Sequence, residues 1–357
     1  MEQLMIYPYH RGCEALVRHQ DMLQDWKLAG LASPKGWGLG NDTVVSGTKE
    51  YTVETDYETV LKRCDGVWFV EDGSLKLPPA LLEKRLQQAI AGGKRIIYTR
   101  LADTEAYENA VRMIPETLRI LPVDTGISDP FGMSAAYCMD IHTPVVAVMG
   151  LEENTEKLEV QLALRKAFQK RGYRVLSVSS GTGTELLGMY SFPDFMLKPG
   201  IGEAEKIIRY NHRIAALEKQ EEPELIIAGI PGGALPFNRY NHNGYGMLQY
   251  EILEALPVDY LVLCLPWQTD LHKRLQEIGM DIKNKYQITP GAYHLAAITQ
   301  DTVDLVSEKQ REFLTLDRHF IRTKIKEEND PHLLDVTEEK SCDSLTEDII
   351  NCLSEQE

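Results

Sequence analysis

The sequence predicts an α/β protein made of two doubly wound parallel-sheet domains, residues 1–135 and 143–357. Three observations carry this reading. Short apolar runs alternate with helical patterns along the chain, which implies parallel strands joined by helical crossovers. Several runs, such as Val67-Trp-Phe-Val70, are apolar at every position, as strands covered on both faces are. One run, Pro144-Val-Val-Ala-Val-Met-Gly150, ends in glycine and feeds a loop and then an amphipathic helix that opens at Lys157. At 357 residues, with 43% hydrophobic and 26% charged, the chain is long enough for two ordinary cores.

In the first domain Leu4–Pro8 reads as a strand, Cys13–Trp26 as a helix and Lys27–Ser33 as a second strand. Tyr57–Cys64 reads as a short helix and Gly66–Val70 as a third strand. Pro78–Ala91 is a helix that opens on Pro-Pro, where missing amide hydrogens cost nothing, and stops at Gly92-Gly93. Lys94–Tyr98 is the fourth strand, and Thr104–Met113 carries a helical pattern. This is a Rossmann-like order, which raises the question of a dinucleotide. The first strand should then run into GxGxxG, but Tyr7–Gly12 offers one glycine. Gly36, Gly38 and Gly40 follow the second strand instead, the wrong turn for a pyrophosphate, and read as a flexible loop. Asp129-Pro-Phe-Gly132 is a turn near the domain boundary at 125–142.

In the second domain the strand ending at Gly150 is followed by Leu151–Glu156 and a helix over 157–171. Tyr173–Val178, Glu224–Gly229 and Tyr260–Leu265 are further strands, and Tyr293–Ile298 closes the sheet. Beyond it Ser307–Ile325 reads as helix, Leu333–Val336 as a last strand and Ser344–Leu353 as a last helix.

Composition excludes several functions. With 38 Lys and Arg against 54 Asp and Glu, the net charge is −16, a poor basis for neutralising phosphate backbones, so nucleic acid is not an expected partner. Much of the excess lies in residues 327–357, where eleven acids face one lysine, a solvated surface. No apolar run reaches the roughly 20 residues of a membrane span, and the start lacks the pattern of a secretory signal, so the expected compartment is the cytoplasm. The six cysteines are scattered without a CxxC pair, which argues for reduced thiols and against zinc. Cys264 reads as a core residue, and Cys342 and Cys352 as thiols on the terminal helix.

Strand, loop and helix with a lysine at the helix start is the layout of a P-loop nucleotide-binding domain. Such a loop needs glycines that turn backbone N–H groups toward phosphates, a Lys for the β/γ charge and a hydroxyl for Mg²⁺. Gly150 and Lys157 are present, with Asn154 and Thr155 between them as further anion contacts. Glu156 stands where the second glycine belongs, Leu158 and Glu159 where the hydroxyl belongs, and the spacing is one residue too long. ATP or GTP with Mg²⁺ is therefore disfavoured, the more so if Glu152, Glu153 and Glu156 all face the triphosphate. Two more loops belong to the carboxyl ends of strands, where ligands of open α/β sheets bind. The first, Ser179–Glu185, offers Gly181, Thr182, Gly183 and Thr184 to an anion. The second, Pro231–Gly246, is long, polar and aromatic, and offers Asn238, Arg239 and His242 to a ligand or peptide. Its asparagines, Asn243 above all, serve equally as caps for the following helix. Asp270 suits either a base- or metal-contacting acid or an N-cap.

The order Val145–Gly150…Lys157, Gly181-Thr-Gly-Thr-Glu-Leu-Leu-Gly188 with Phe192-Pro193, Ile226–Gly229, then Asp259–Leu265…Asp270 resembles a clostridial family of peptide maturation system proteins. Members lie beside radical-SAM enzymes and small Cys-rich precursor peptides, and the likeness spans nearly the whole chain. It implies Gly150 and Lys157 as phosphate-loop positions and Gly181–Glu185 as a neighbouring site loop. It also implies a precursor peptide or a radical-SAM maturase as partner. The departures at Glu156, Leu158 and Glu159 put nucleotide hydrolysis in doubt. Three readings follow: an accessory protein holding a peptide or partner enzyme, a nucleotide-dependent kinase- or NTPase-like enzyme, and a small-molecule sensor. A homo-oligomer stays open under each, and no metal is expected.

Overall fold

Two sheets, both mostly parallel and flanked by helices, organise the chain. The computed structural model describes residues 1–71, 77–100, 109–110, 112–120, 137–181, 183–236, 242–300 and 313–355. The chain divides into a unit of Met1–Gly126 with Gly181–Lys198 and a unit of Ile127–Ser180 with Pro199–Glu357. The segment from Gly181 onward, read from sequence with the second sheet, thus groups with the first unit.

The first unit holds β1 (Glu2–Tyr7), α1 (Glu14–Arg18), β2 (Trp26–Ala32), β3 (Thr43–Ser46) and β4 (Lys49–Glu54). It continues with α2 (Tyr57–Lys62), β5 (Gly66–Glu71), α3 (Pro79–Ala91), β6 (Arg95–Arg100) and β7 (Arg119–Ile120). The sheet order is β3-β4-β2-β1-β5-β6-β7, with β3 and β4 antiparallel. Asp56 starts α2 by accepting the amides of Glu58 at 3.1 Å and Thr59 at 3.4 Å. Tyr7, Tyr57 and Phe69 meet edge-on inside the core.

One expectation fails here. The helix expected to Trp26 ends at Arg18, because Trp26 is a buried strand residue and the chain must turn before it, with Asp25 at φ +60°. Past the glycines at 36, 38 and 40, a stretch without a sequence assignment forms a hairpin, β3 to β4, which adds β4 to the sheet beside β2. Of the helix expected at 104–113 only 109–110 and 112–113 are described, all helical; the turn at 129–132 lies outside the described residues.

The second unit holds β8 (Val145–Gly150), α4 (Lys157–Lys170), β9 (Val175–Val178), α5 (Glu203–Glu221) and β10 (Leu225–Gly229). It continues with α6 (Met247–Ala255), β11 (Val258–Pro266), α7 (Leu271–Tyr286), β12 (Ala292–Ala296) and β13 (Ile298–Gln300). Then come β14 (Phe313–Thr315), α8 (Arg318–Glu328), β15 (Leu333–Leu334) and α9 (Glu339–Ser354). The parallel order β15-β12-β11-β8-β10-β9 puts β8 in the centre. From β8 the chain crosses to one side for β9 and β10 and to the other for β11 and β12, so the loop after Gly150 leaves the sheet at its topological switch point.

β8 is buried at all six positions, in keeping with its unbroken apolar sequence. β12 does not close the sheet, since β15 lies outside it. Within the helix expected at 307–325, residues 307–312 lie outside the described set and Phe313–Thr315 pair with β13. The helix starts only at Arg318, where Asp317 caps the Phe320 amide at 3.1 Å. Cys264 is fully buried, and Cys342 is 5% exposed in a core shared by α4 and α9. Burial pushes the Cys342 thiol up to about 11, which fits an unreactive core residue. No helix among the described residues is long and apolar enough to cross a membrane.

Candidate functional site

The loop between β8 and α4 folds against its own lysine. Gly150 is followed so closely by the returning chain that a Cβ there would lie 2.3 Å from Thr155 Oγ1 and 2.4 Å from the Glu152 carbonyl oxygen. Thr155 is fully buried and donates its hydroxyl to the Glu152 carbonyl at 3.0 Å. Lys157, 5% exposed, donates to the carbonyls of Glu152 at 3.0 Å, Gly232 at 2.9 Å and Glu153. Three acceptors match the three donors of an ammonium. Burial pushes this group down to about 8, so it is charged at neutral pH.

Glu156 adopts φ +60°, a conformation that favours glycine and costs a side-chain residue on the order of 1 kcal/mol. Its carboxylate turns away from the loop interior. Oε1 accepts from Arg318 Nη2 at 2.5 Å, and Oε2 accepts from His294 Nε2 and the Ala297 amide, both at 3.1 Å. His294 is fully buried, and its Nδ1 accepts the Val336 amide at 3.1 Å. With Nδ1 accepting, the ring carries a proton on Nε2, aimed at Glu156. Burial acts to raise the Glu156 carboxyl, but the His294 hydrogen bond, the Arg318 charge and the Ala297 amide outweigh it and hold it below the usual range.

Asp335, 2% exposed, backs this arrangement. It accepts from Arg318 Nη1 at 3.3 Å, Arg322 Nε at 2.8 Å and the Thr337 hydroxyl at 2.6 Å. Burial acts to raise its carboxyl too, but His294, the Thr337 hydroxyl, Arg318 and Arg322 outweigh it and hold it low. Glu152 is also withdrawn, 2% exposed and accepting from Asn243 Nδ2 at 3.0 Å. The expectation of three carboxylates facing a triphosphate fails, because Glu152 and Glu156 have protein partners and only Glu153 is exposed.

The loop after β10 joins the same assembly. The Ala234 amide donates to the Gly150 carbonyl at 2.9 Å, and Gly232 supplies one acceptor of Lys157. Asn243 does not cap α6: its Nδ2 donates to Leu235 O at 2.7 Å as well as to Glu152, and Gly246 occupies the N-cap. Asn243, Gly244, Tyr245 and Gly246 form an unbroken left-handed turn, with φ of +49°, +57°, +54° and +66°. Tyr286 pins it by donating to Ala234 O at 2.6 Å and Gly246 O at 3.2 Å. Outward, His242 stacks flat on Tyr245 at 4.5 Å, and Tyr245, Met247 and Tyr250 are 60%, 45% and 40% exposed.

The other predicted residues are dispersed. Asn154 is exposed, and Leu158 half-buried. Glu159 is buried on α4 where a Mg²⁺ hydroxyl would stand. Asp270, exposed and at φ +60°, takes the N-cap position of α7 as one of its two readings expected, but its side chain makes no capping bond there. Gly183, at φ +79°, donates its amide to Ser191 Oγ at 2.8 Å, and Thr184 is buried. Gly181, Gly183 and Thr184 belong to the first unit. Thr182, Asn238 and Arg239 lie outside the described residues. Sequence reading missed His294 and Arg318, which stand 138 and 162 residues from Glu156, and Asp335 beyond them. The one local signal was a histidine inside the apolar run of β12. Among the described residues no group of three or more His, Cys, Asp or Glu is placed to hold a metal ion.

The fold is similar to that of a DUF1611 family protein from Anabaena variabilis, at TM-score 0.62 and 12% identity over 98% of this chain and 100% of that one. Weaker likenesses are chloroplast FtsY from Physcomitrella patens, at TM-score 0.28 and 13% identity over 60% and 65%, and cobyrinic acid a,c-diamide synthase from Mycobacterium smegmatis with bound ATP analog and magnesium, at 0.26 and 16% over 43% and 72%. Neither is strong enough to carry an argument. No family model and no curated protein sequence matches the chain.

Proposed function

We propose that this protein is an accessory protein in the maturation of a ribosomally made, Cys-rich peptide, acting in the cytoplasm to hold the peptide or its radical-SAM maturase on a degenerate P-loop scaffold. The peptide and the maturase come from the sequence resemblance. The observation that favours a holding role over catalysis is the state of Lys157. Its ammonium is satisfied by three backbone carbonyls, and the next residue back is a carboxylate in place of a glycine. A nucleotide would have to displace all three acceptors and do without a Mg²⁺ hydroxyl at Leu158 or Glu159. The exposed His242–Tyr245 stack offers an aromatic surface of the kind that binds peptides with little loss of side-chain freedom.

Isothermal titration of the purified protein against the precursor peptide and the maturase encoded beside it tests the reading. Saturable heat with either partner, reduced by Tyr245→Ala, is expected; silence with both overturns it. The rival reading is a nucleotide-dependent kinase- or NTPase-like enzyme, favoured by Gly150 and Lys157 at the end of the central strand. It requires a thermal shift with ATP and Mg²⁺ that Lys157→Ala abolishes. The accessory reading expects no shift in either protein.

A further inference from the structure

The donors around Glu156 are organised independently of Glu156. His294 Nε2–H is fixed as a donor because Nδ1 is committed to the Val336 amide at 3.1 Å. The Arg318 guanidinium is held from its other side by Asp335 at 3.3 Å, and Asp335 is itself anchored by Arg322 at 2.8 Å and Thr337 at 2.6 Å. The third donor, the Ala297 amide, is part of the backbone between β12 and β13. A guanidinium from α8 and an imidazole N–H and a backbone N–H from the β12 edge thus converge on one carboxylate. Such convergence of preset donors is the build of an anion-recognition site. The residue that fills it does so from a left-handed backbone position that any side chain occupies at a cost.

We propose that Arg318, His294 and the Ala297 amide form a carboxylate-binding cradle that Glu156 occupies as an intramolecular ligand, latching the β8–α4 loop shut. A ligand that presents a free carboxylate, such as an acidic side chain or a chain terminus, takes the cradle when Glu156 leaves it. The flat Glu carboxylate already fits there with one oxygen on the guanidinium and the other shared by two N–H groups. The cradle therefore favours a planar carboxylate over a tetrahedral anion. This goes beyond the accessory reading and does not depend on it: anion binding here needs no peptide, and peptide binding needs no vacated cradle.

The test vacates the cradle with Glu156→Gly, a residue suited to φ +60°. Melting of the variant is followed in sodium formate, sodium acetate, sodium phosphate and sodium chloride at equal ionic strength. Formate is expected to raise the Tm of Glu156→Gly saturably, by about 4 °C near 100 mM for a site with a Kd of about 5 mM. The wild type and Glu156→Gln, whose cradles remain filled, should respond to formate only as they do to chloride. Equal responses of Glu156→Gly to formate and chloride overturn the proposal, and a response to phosphate alone overturns the carboxylate assignment. If Glu156→Gly does not accumulate as folded protein, refolding yield in formate against chloride reads the same cradle. Recovery in formate supports it, and equal yields overturn it.

Discussion

Replacing Lys157 with methionine keeps the side chain's length and removes its charge. The carbonyls of Glu152, Glu153 and Gly232 then lose their donor. Each hydrogen bond to a charged group contributes about 1.5–3 kcal/mol. Against this stands the cost of burying the ammonium, which the drop from 10.5 to about 8 puts at about 3 kcal/mol. Setting one against the other leaves Lys157→Met less stable than wild type by about 2 kcal/mol at neutral pH. The pH dependence has a definite sign. Because the folded value lies below the unfolded one, the unfolded chain binds more protons between about 8 and 10.5. The wild type gains stability across that window as its buried lysine sheds its charge, and the methionine variant does not. The deficit should therefore widen by about 3 kcal/mol over the window. Urea unfolding of both proteins followed by circular dichroism, at several pH values from neutral upward, measures that difference, and the titration of every other lysine cancels in it. A deficit within about 0.5 kcal/mol at neutral pH, as for a solvated surface lysine, would refute the reasoning. So would a deficit that stays flat or shrinks above pH 8.

Gly150→Ala should unfold at markedly lower denaturant than wild type, a loss of about 3 kcal/mol, because the added methyl meets Thr155 and the Glu152 backbone with no room to yield. Gly36→Ala, where a Cβ meets nothing within 4 Å, is the neutral control in the same titration. Asp335→Asn should cost about 3 kcal/mol at neutral pH, since it leaves Arg318 and Arg322 without their shared buried partner. It should also flatten the acid limb of a Tm-against-pH curve. The Asp335 carboxyl is held low in the folded state, so its stabilisation is present above the unfolded value and is lost as pH falls through the folded one. An unchanged limb would show that Asp335 is not held low. In native protein, Cys138, which is exposed, should react with a thiol reagent well before Cys342, whose thiol is buried and pushed up to about 11. Labelling of Cys342 at the same rate, read by peptide mass spectrometry, would mean that α9 opens readily.

Strand and helix positions were legible wherever a run was apolar throughout, as in β5, β8, β10 and β11, because burial on both faces leaves no other composition. The loop's defects were legible too, since Glu156 and Leu158 break a motif of fixed spacing. What the sequence hid was long-range. β4, which joins the sheet beside β2, and α5, whose face is lined by Tyr210, Ile214 and Leu217, both went unread. Nothing near Glu156 announces that its partners lie 138 and 162 residues downstream. Counting charges around the loop therefore gave the wrong electrostatics. Three acids close in sequence were taken as one repulsive cluster, whereas each has its own surroundings.

That correction changes the meaning of the departures of this loop from the phosphate-loop pattern. A chance residue at φ +60° would be strained with an unplaced side chain. Here the strained residue carries a carboxylate with an acceptor for each of three preset donors, and those donors are braced by Asp335 and by the Val336 amide. The backbone cost of φ +60°, on the order of 1 kcal/mol, is smaller than what three such bonds return. Glu156 and Arg318, each about one-fifth exposed, thus support each other, while Asp335 holds the guanidinium from its other side. Glu156→Gly alone would not make a nucleotide site, because Lys157 would stay bonded to its three carbonyls. The closed loop is a coupled arrangement of Lys157, Glu156, His294 and Arg318, and it changes state only when one of them finds a better partner.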